Sequence, residues 1–166
     1  MDQPRLVVAD AGPLTALARI DQIDLLPTLH GRVHVPEDVW HEVVVCGAGL
    51  PGSSLLSAAS WVDRGAPLEG DPVLRALDGL LDPGEAAAIT TAVGRQADLL
   101  LIDERKGRRI ARSLGLTVKG TLGVLLAARR LGHLRSLGEV VEALRHNEVH
   151  LSDELVAEVL RVSGEG

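Results

Sequence analysis

A chain of 166 residues, 46% hydrophobic and 24% charged, is long enough to bury one substantial core and too ordinary in composition to be globally disordered. With no Phe or Tyr and only Trp40 and Trp61, the core is aliphatic, and a base-stacking platform of the RRM or OB kind is all but excluded. A net charge of −6 excludes general attraction to polyanions, so contact with nucleic acid requires a local basic patch or metal ions.

Leu6-Val7-Val8-Ala9 is a short apolar run ending at Asp10, the pattern of a buried parallel strand. Asp10-Ala11-Gly12-Pro13 turns into a helix that carries Leu14, Leu17 and Ala18 at helical spacing. A second helix covers Ile23 to Leu29 and stops at Gly31. Val33-His34-Val35 is a short strand, and Pro36 opens a helix through Val45. Gly47 to Ser54 is glycine-rich and reads as a loop. Ala58 to Leu68 has no clean period; a short helix, then a strand near Trp61-Val62, fits it. Pro72 to Leu80 reads as helical, and Asp82-Pro83-Gly84-Glu85 begins a strong helix over Ala86 to Gln96. Leu99-Leu100-Leu101-Ile102 is the clearest strand and ends at Asp103. A helix to Leu114, a strand at Thr117-Val118 and a helix from Thr121 to Leu131 follow. Two last helices, roughly 136–146 and 152–162, close the chain, with Ser152 or Asp153 as cap. This alternation predicts an α/β sandwich with a mainly parallel sheet. No repeat or linker divides the chain, so it reads as a single domain over 1–166, its helices at roughly 136–162 able to form a small appendage.

In such sheets, ligands bind beyond the carboxyl ends of the strands. Asp10 and Asp103 each end a strand. Either alone is equally well an N-cap of the next helix; the two together point to a site. Glu85 shares a helix face with Ala88, Ile89, Ala92 and Val93, which packs on the sheet. Its placement in the first turn suits the helix dipole, but that does not account for the face. Glu42, near Val39 and Val43, is open between an inward and a surface placement. Glu104 is either a further ligand or a first-turn helix acid. Carboxylates converging at one edge raise one another's pKa or hold a divalent cation. An oxygen-only set favours Mg²⁺ or Mn²⁺ over Zn²⁺. The chemistry such a site does best is metal-assisted phosphodiester hydrolysis, which needs no protein nucleophile. Arg105, Lys106, Arg108, Arg109 and Arg112 follow directly; they either hold a phosphate backbone or form a solvated helix face. Thr121 is either a helix N-cap or a residue that orients water at the site.

Cys46 is alone, so there is neither a disulfide framework nor a Cys zinc site. His30, His34, His41, His133, His146 and His150 show no tight metal spacing and read as surface or satisfied core groups. No run approaches about 18 apolar residues, which argues against a membrane span. The opening Met1-Asp2-Gln3-Pro4-Arg5 leads into no signal-type apolar region, so a cytoplasmic location is expected.

Val-Val-Ala-Asp10-Ala-Gly-Pro-Leu, Pro-Gly-Glu85-Ala-Ala-Ala-Ile and Leu-Leu-Ile-Asp103-Glu resemble the motifs of PIN-domain ribonucleases, most of all a bacterial subfamily of VapC-like toxins. The likeness extends to Gly120-Thr121-Leu122-Gly123 and Leu151-Ser152-Asp153-Glu154-Leu155. It implies a three-layer, Rossmann-like α/β/α sandwich with an acidic pocket and Mg²⁺- or Mn²⁺-dependent RNA cleavage. By position it makes Asp10, Glu42, Glu85 and Asp103 the acidic set, Glu42 by context rather than by motif. The third acid is commonly Asp in the toxins, so Glu85 lengthens that reach by one methylene. A small cognate antitoxin and a homodimer are implied as partners. The alternatives are a catalytically inactive interaction module of the same fold, which the intact acidic set disfavours, and a haloacid-dehalogenase-like phosphatase. The latter needs an Asp where Gly12 stands. A dinucleotide-binding domain lacks its G-x-G-x-x-G.

Overall fold

The computed structural model describes residues 5–166; Met1 to Pro4, part of the leader reading, lie outside the described residues. Five parallel strands form one sheet in the order β3-β2-β1-β4-β5. They are β1 (Val7–Ala9), β2 (Val33–Pro36), β3 (Val62–Gly65), β4 (Leu99–Leu101) and β5 (Val118–Lys119). The central pair is aliphatic on both faces and fully buried, with Val7, Val8 and Ala9 in register with Leu99, Leu100 and Leu101. Continuous apolar strands of this kind occur where helices cover both faces of a sheet.

The helices are α1 (Ala11–Arg19), α2 (Leu25–His30), α3 (Glu37–Trp40), α4 (Pro51–Ser57), α5 (Pro72–Leu77), α6 (Pro83–Gly94), α7 (Arg105–Ser113), α8 (Thr121–Arg130), α9 (Leu137–His146) and α10 (Asp153–Ser163). Helices α3, α5 and α7 contact α6, which lies on the sheet, whereas α1 and α2 meet α8. The result is an α/β/α sandwich. Apolar residues of α9 and α10, among them Leu137, Leu144 and Val156, join the same buried cluster as the central strands. Among the described residues no helix is long and apolar enough to cross a membrane.

Several segments depart from the sequence reading: the short helix expected at the start of 58–68 is absent, that stretch giving only β3, and α5 stops at Leu77 rather than Leu80. The stretch 47–54, expected as a loop, turns helical at Pro51. Proline suits the first helical position, and Gly52 lets the turn pack against Val43 and Ala18 while the Ser53 hydroxyl donates to the Val44 carbonyl at 2.7 Å. The helix opened by Pro36 changes pitch: after α3, His41–Cys46 forms a wider π-helical turn. At the sheet edge, Arg64 of β3 donates two bonds to Glu37 and stacks 3.6 Å over Trp40, tying β3 to α3.

Candidate active site

The strand order reverses direction between β1 and β4, and there a crevice opens beyond the strand ends. Asp10 and Asp103 follow these two strands. The Asp10 amide donates to the Leu101 carbonyl at 2.8 Å, extending the ladder by one step and fixing where its side chain starts. Asp10 occupies the N-cap position of α1, yet its side chain makes no capping bond. Asp103 does not cap the next helix either; Glu104 stands at that position of α7, also without a side-chain cap bond. Instead Asp103 accepts from the Thr121 amide and the Thr121 hydroxyl, both at 2.7 Å. The Asp103 carboxylate thus satisfies the first turn of α8, whose N-cap is Gly120.

Glu85 reaches the crevice from α6. Asp82 and Glu85 form a reciprocal capping box: the Glu85 amide donates to Asp82 Oδ1 at 2.8 Å, and the Asp82 amide donates to Glu85 Oε2 at 3.3 Å. Glu85 is nonetheless buried, in keeping with a face that packs on the sheet. The first turns of two helices touch the strand-end acids: a Cβ on Gly84 would lie 3.7 Å from Asp10 Oδ1, and one on Gly12 would lie 3.3 Å from Asp103 Oδ2. Helix N-termini carry partial positive charge, which favours anions at this convergence.

Asp10, Glu42, Glu85, Asp103 and Glu104 all line one open pocket of about 500 Å³. Asp82, Glu148, Thr15, Arg19 and His150 line it too, and the sequence reading did not assign them to the site. Asp10 is 5% exposed, and burial pushes its carboxyl up to about 7, with the charges of Glu85, Asp82 and Glu42 adding to the effect against the Ala11 amide. Burial and then Asp82 raise Glu85 as well, and Glu42 rises for the same two reasons. No ion pair among the described residues neutralises any of these acids. Of the basic run, Arg105, Lys106, Arg109 and Arg112 are exposed on α7, whereas Arg108 is half-buried.

A family model described as a PIN domain matches residues 6–165, almost the whole chain. The chain belongs to the PIN-domain family. PIN domains are generally nucleases that depend on divalent metals such as Mg²⁺ or Mn²⁺. No curated protein matches the chain.

The acidic pocket of this PIN domain suits such an ion in its chemistry: hard oxygen donors, unneutralised, partly desolvated, and without the sulfur or clustered imidazole that selects zinc. Among the described residues, however, no three His, Cys, Asp or Glu side chains close into a ligand set. The acids share a pocket rather than a single point.

Asp82 was visible in the sequence only as the start of a helix; its place at the pocket comes with the fold. Arg19, Glu148 and His150 carried no local signal. Arg19 points to the carbonyl of Asn147 at 3.4 Å, across 128 positions of sequence, and only the folded chain brings the 147–150 loop to the crevice.

Proposed function

We propose that this PIN domain is a divalent-metal-dependent endoribonuclease that hydrolyses RNA phosphodiester bonds and serves as the toxin of a toxin–antitoxin pair. The observation that carries the reading is Asp10: a carboxyl 5% exposed, free of any ion pair among the described residues, at the switch point of a parallel sheet beside further acids.

Asp10, Glu85 and Asp103, with Glu104 at the rim, would hold the Mg²⁺ or Mn²⁺. Bound there, such an ion would lower the pKa of a water so that it attacks as hydroxide, and would supply counter-charge for the leaving oxygen. The chain's own part is to hold the donors still. Packing fixes Asp10, the Asp82 amide steadies Glu85, and Thr121 clamps both oxygens of Asp103. The Thr121 hydroxyl donates a hydrogen bond to Asp103 and keeps lone pairs that can accept from, and so orient, a water. Arg105, Lys106, Arg109 and Arg112, exposed on α7, would hold the backbone of the bound strand, with the half-buried Arg108 among them. A small antitoxin that covers the pocket, and a homodimer, complete the proposal; both rest on the likeness to VapC-like toxins.

The experiment is cleavage of structured and unstructured RNAs with Mn²⁺, Mg²⁺ or chelator. Metal-dependent cutting by the parent and its loss in folded Asp10→Asn and Asp103→Asn are expected. Variants that cut as well as the parent refute the site, and a parent that leaves every RNA intact turns the reading toward an inactive interaction module.

A further inference from the structure

Asp103 is a wall shared by two cavities. Beyond it lies a second cavity of about 370 Å³ that has Asp103, Val149 and His150 in common with the acidic pocket. Its charge is opposite: Arg108 and Lys119 line it, and Asp103 is its one carboxylate among the described residues. Neither cation takes part in an ion pair among those residues. Arg108 Nε is buried without a hydrogen-bond partner. A Cβ on Gly120 would stand 3.1 Å from Arg108 Nη1 and 2.7 Å from Asp103 Oδ1, so glycine keeps the passage between the two groups clear. Part of this cavity's wall is aliphatic and comes from the C-terminal segment: Leu151, Leu155 and Val159, with Leu155 still 46% exposed.

These features have one chemical complement. A half-buried guanidinium with no partner calls for an anion, and its planar fork suits phosphate oxygens. An aliphatic wall in the same cavity takes the face of a flat, weakly polar ring by dispersion contact. A phosphate joined to such a ring is a nucleotide. Resting on the nuclease reading above, we infer that this cavity holds one nucleotide of the RNA strand beside the scissile linkage, its phosphate on Arg108 and Lys119 and its base against Leu151 and Leu155. The strand then crosses from the basic cavity, over Asp103, into the acidic one.

The test is equilibrium binding of a fluorescent single-stranded RNA in chelator, over a range of salt, to the parent, Arg108→Gln, Lys119→Met, Leu155→Ser and the distant exposed control Arg75→Gln. Arg108→Gln and Lys119→Met should each weaken binding roughly tenfold or more and flatten the log–log salt slope by about 0.7, the loss of one phosphate contact. Leu155→Ser should weaken binding with the salt slope unchanged, and Arg75→Gln should do neither. Arg108→Gln should melt no lower than the parent, because burial and Arg112 oppose this charge more than Asp103 favours it. Parent-like binding by Arg108→Gln and Lys119→Met overturns the inference, as does a parent that binds no RNA. A poly-glutamate peptide bound as tightly as RNA overturns it too, since the cavity would then read bare charge. Cleavage reports separately: a parent that binds through Arg108 and Lys119 but never cuts refutes the nuclease reading alone. One that cuts with metal while both variants bind normally refutes this subsite alone.

Discussion

Replacing Asp10 with Asn should stabilise the protein in chelator, and by an amount that depends on pH. Burial pushes the Asp10 carboxyl up to about 7 from an ordinary 3.8. Between those values the unfolded chain gives up its proton while the folded chain keeps it, so stability falls as pH rises through this window. Above about pH 7 the full cost, about 4 kcal/mol, is in place. The residue is 5% exposed, so solvent screening does little to reduce that figure. Asparagine keeps the shape of the protonated acid and never ionises. Melts of parent and Asp10→Asn should therefore coincide near pH 4 and diverge toward about pH 8, where Asn should melt on the order of 10 °C higher for a chain this long. Thermal and urea unfolding in chelator across this range provide the measurement. A variant no more stable than the parent at the alkaline end, or a difference that ignores pH, would show that Asp10 is not held against ionisation, and the electrostatic basis of the site would go with it.

Metal should reverse that cost. Mn²⁺ or Mg²⁺ at a hundred times its dissociation constant should add about 2.7 kcal/mol to the parent, seen as a rise in Tm that shrinks in Asp10→Asn and Asp103→Asn. Thr121→Val removes the hydroxyl donor to Asp103 at nearly constant volume; metal-dependent cleavage should fall roughly 10- to 100-fold while circular dichroism stays unchanged. At the other end of the chain, Glu165 accepts from the amides of Leu137 and Gly138 and from Arg129, which hold its carboxyl down to about 2 from an ordinary 4.5. Its contribution is present above pH 4.5 and lost as pH falls toward 2, so Glu165→Gln should melt below the parent at neutral pH and match it in strong acid.

Much of the frame is legible because parallel strands buried on both faces leave short, unbroken aliphatic runs, and Val7-Val8-Ala9 and Leu99-Leu100-Leu101 are of that kind. The acids that end such runs stand out for the same reason. Glu85 could be placed because α6 keeps a regular period. Glu42 could not: the wider turn at His41–Cys46 breaks the 3.6-residue rhythm on which any face assignment depends. Helix α4 was hidden by its Gly and Ser content, which disfavours a helix locally; its packing on α1 and the π-helical turn overrides that preference. The loop carrying His150 was illegible in principle, since its position depends on contacts more than a hundred residues away.

Two carboxylates in this fold are treated in opposite ways, and the contrast bears on what each is for. Glu165 receives backbone amides, a guanidinium and the Ser136 hydroxyl, the arrangement expected where a carboxylate holds helices together. Asp10 is far more deeply placed and has only the nearby Ala11 amide to favour its charge, while Glu85, Asp82 and Glu42 press on it with like charge. It caps no helix through its side chain and pairs with no cation among the described residues. If holding the fold were its task, an apolar residue or a serine would perform it without opposing ionisation at neutral pH. An acid kept in such a place makes physical sense when something of opposite charge completes it, and the open pocket in front of it, rimmed by further oxygens, is where a divalent cation would do so. The same reasoning applies with the sign reversed to Arg108, on the other side of Asp103. One orphan anion and one orphan cation, separated by a shared wall, are what a site for a metal ion and a phosphate chain requires.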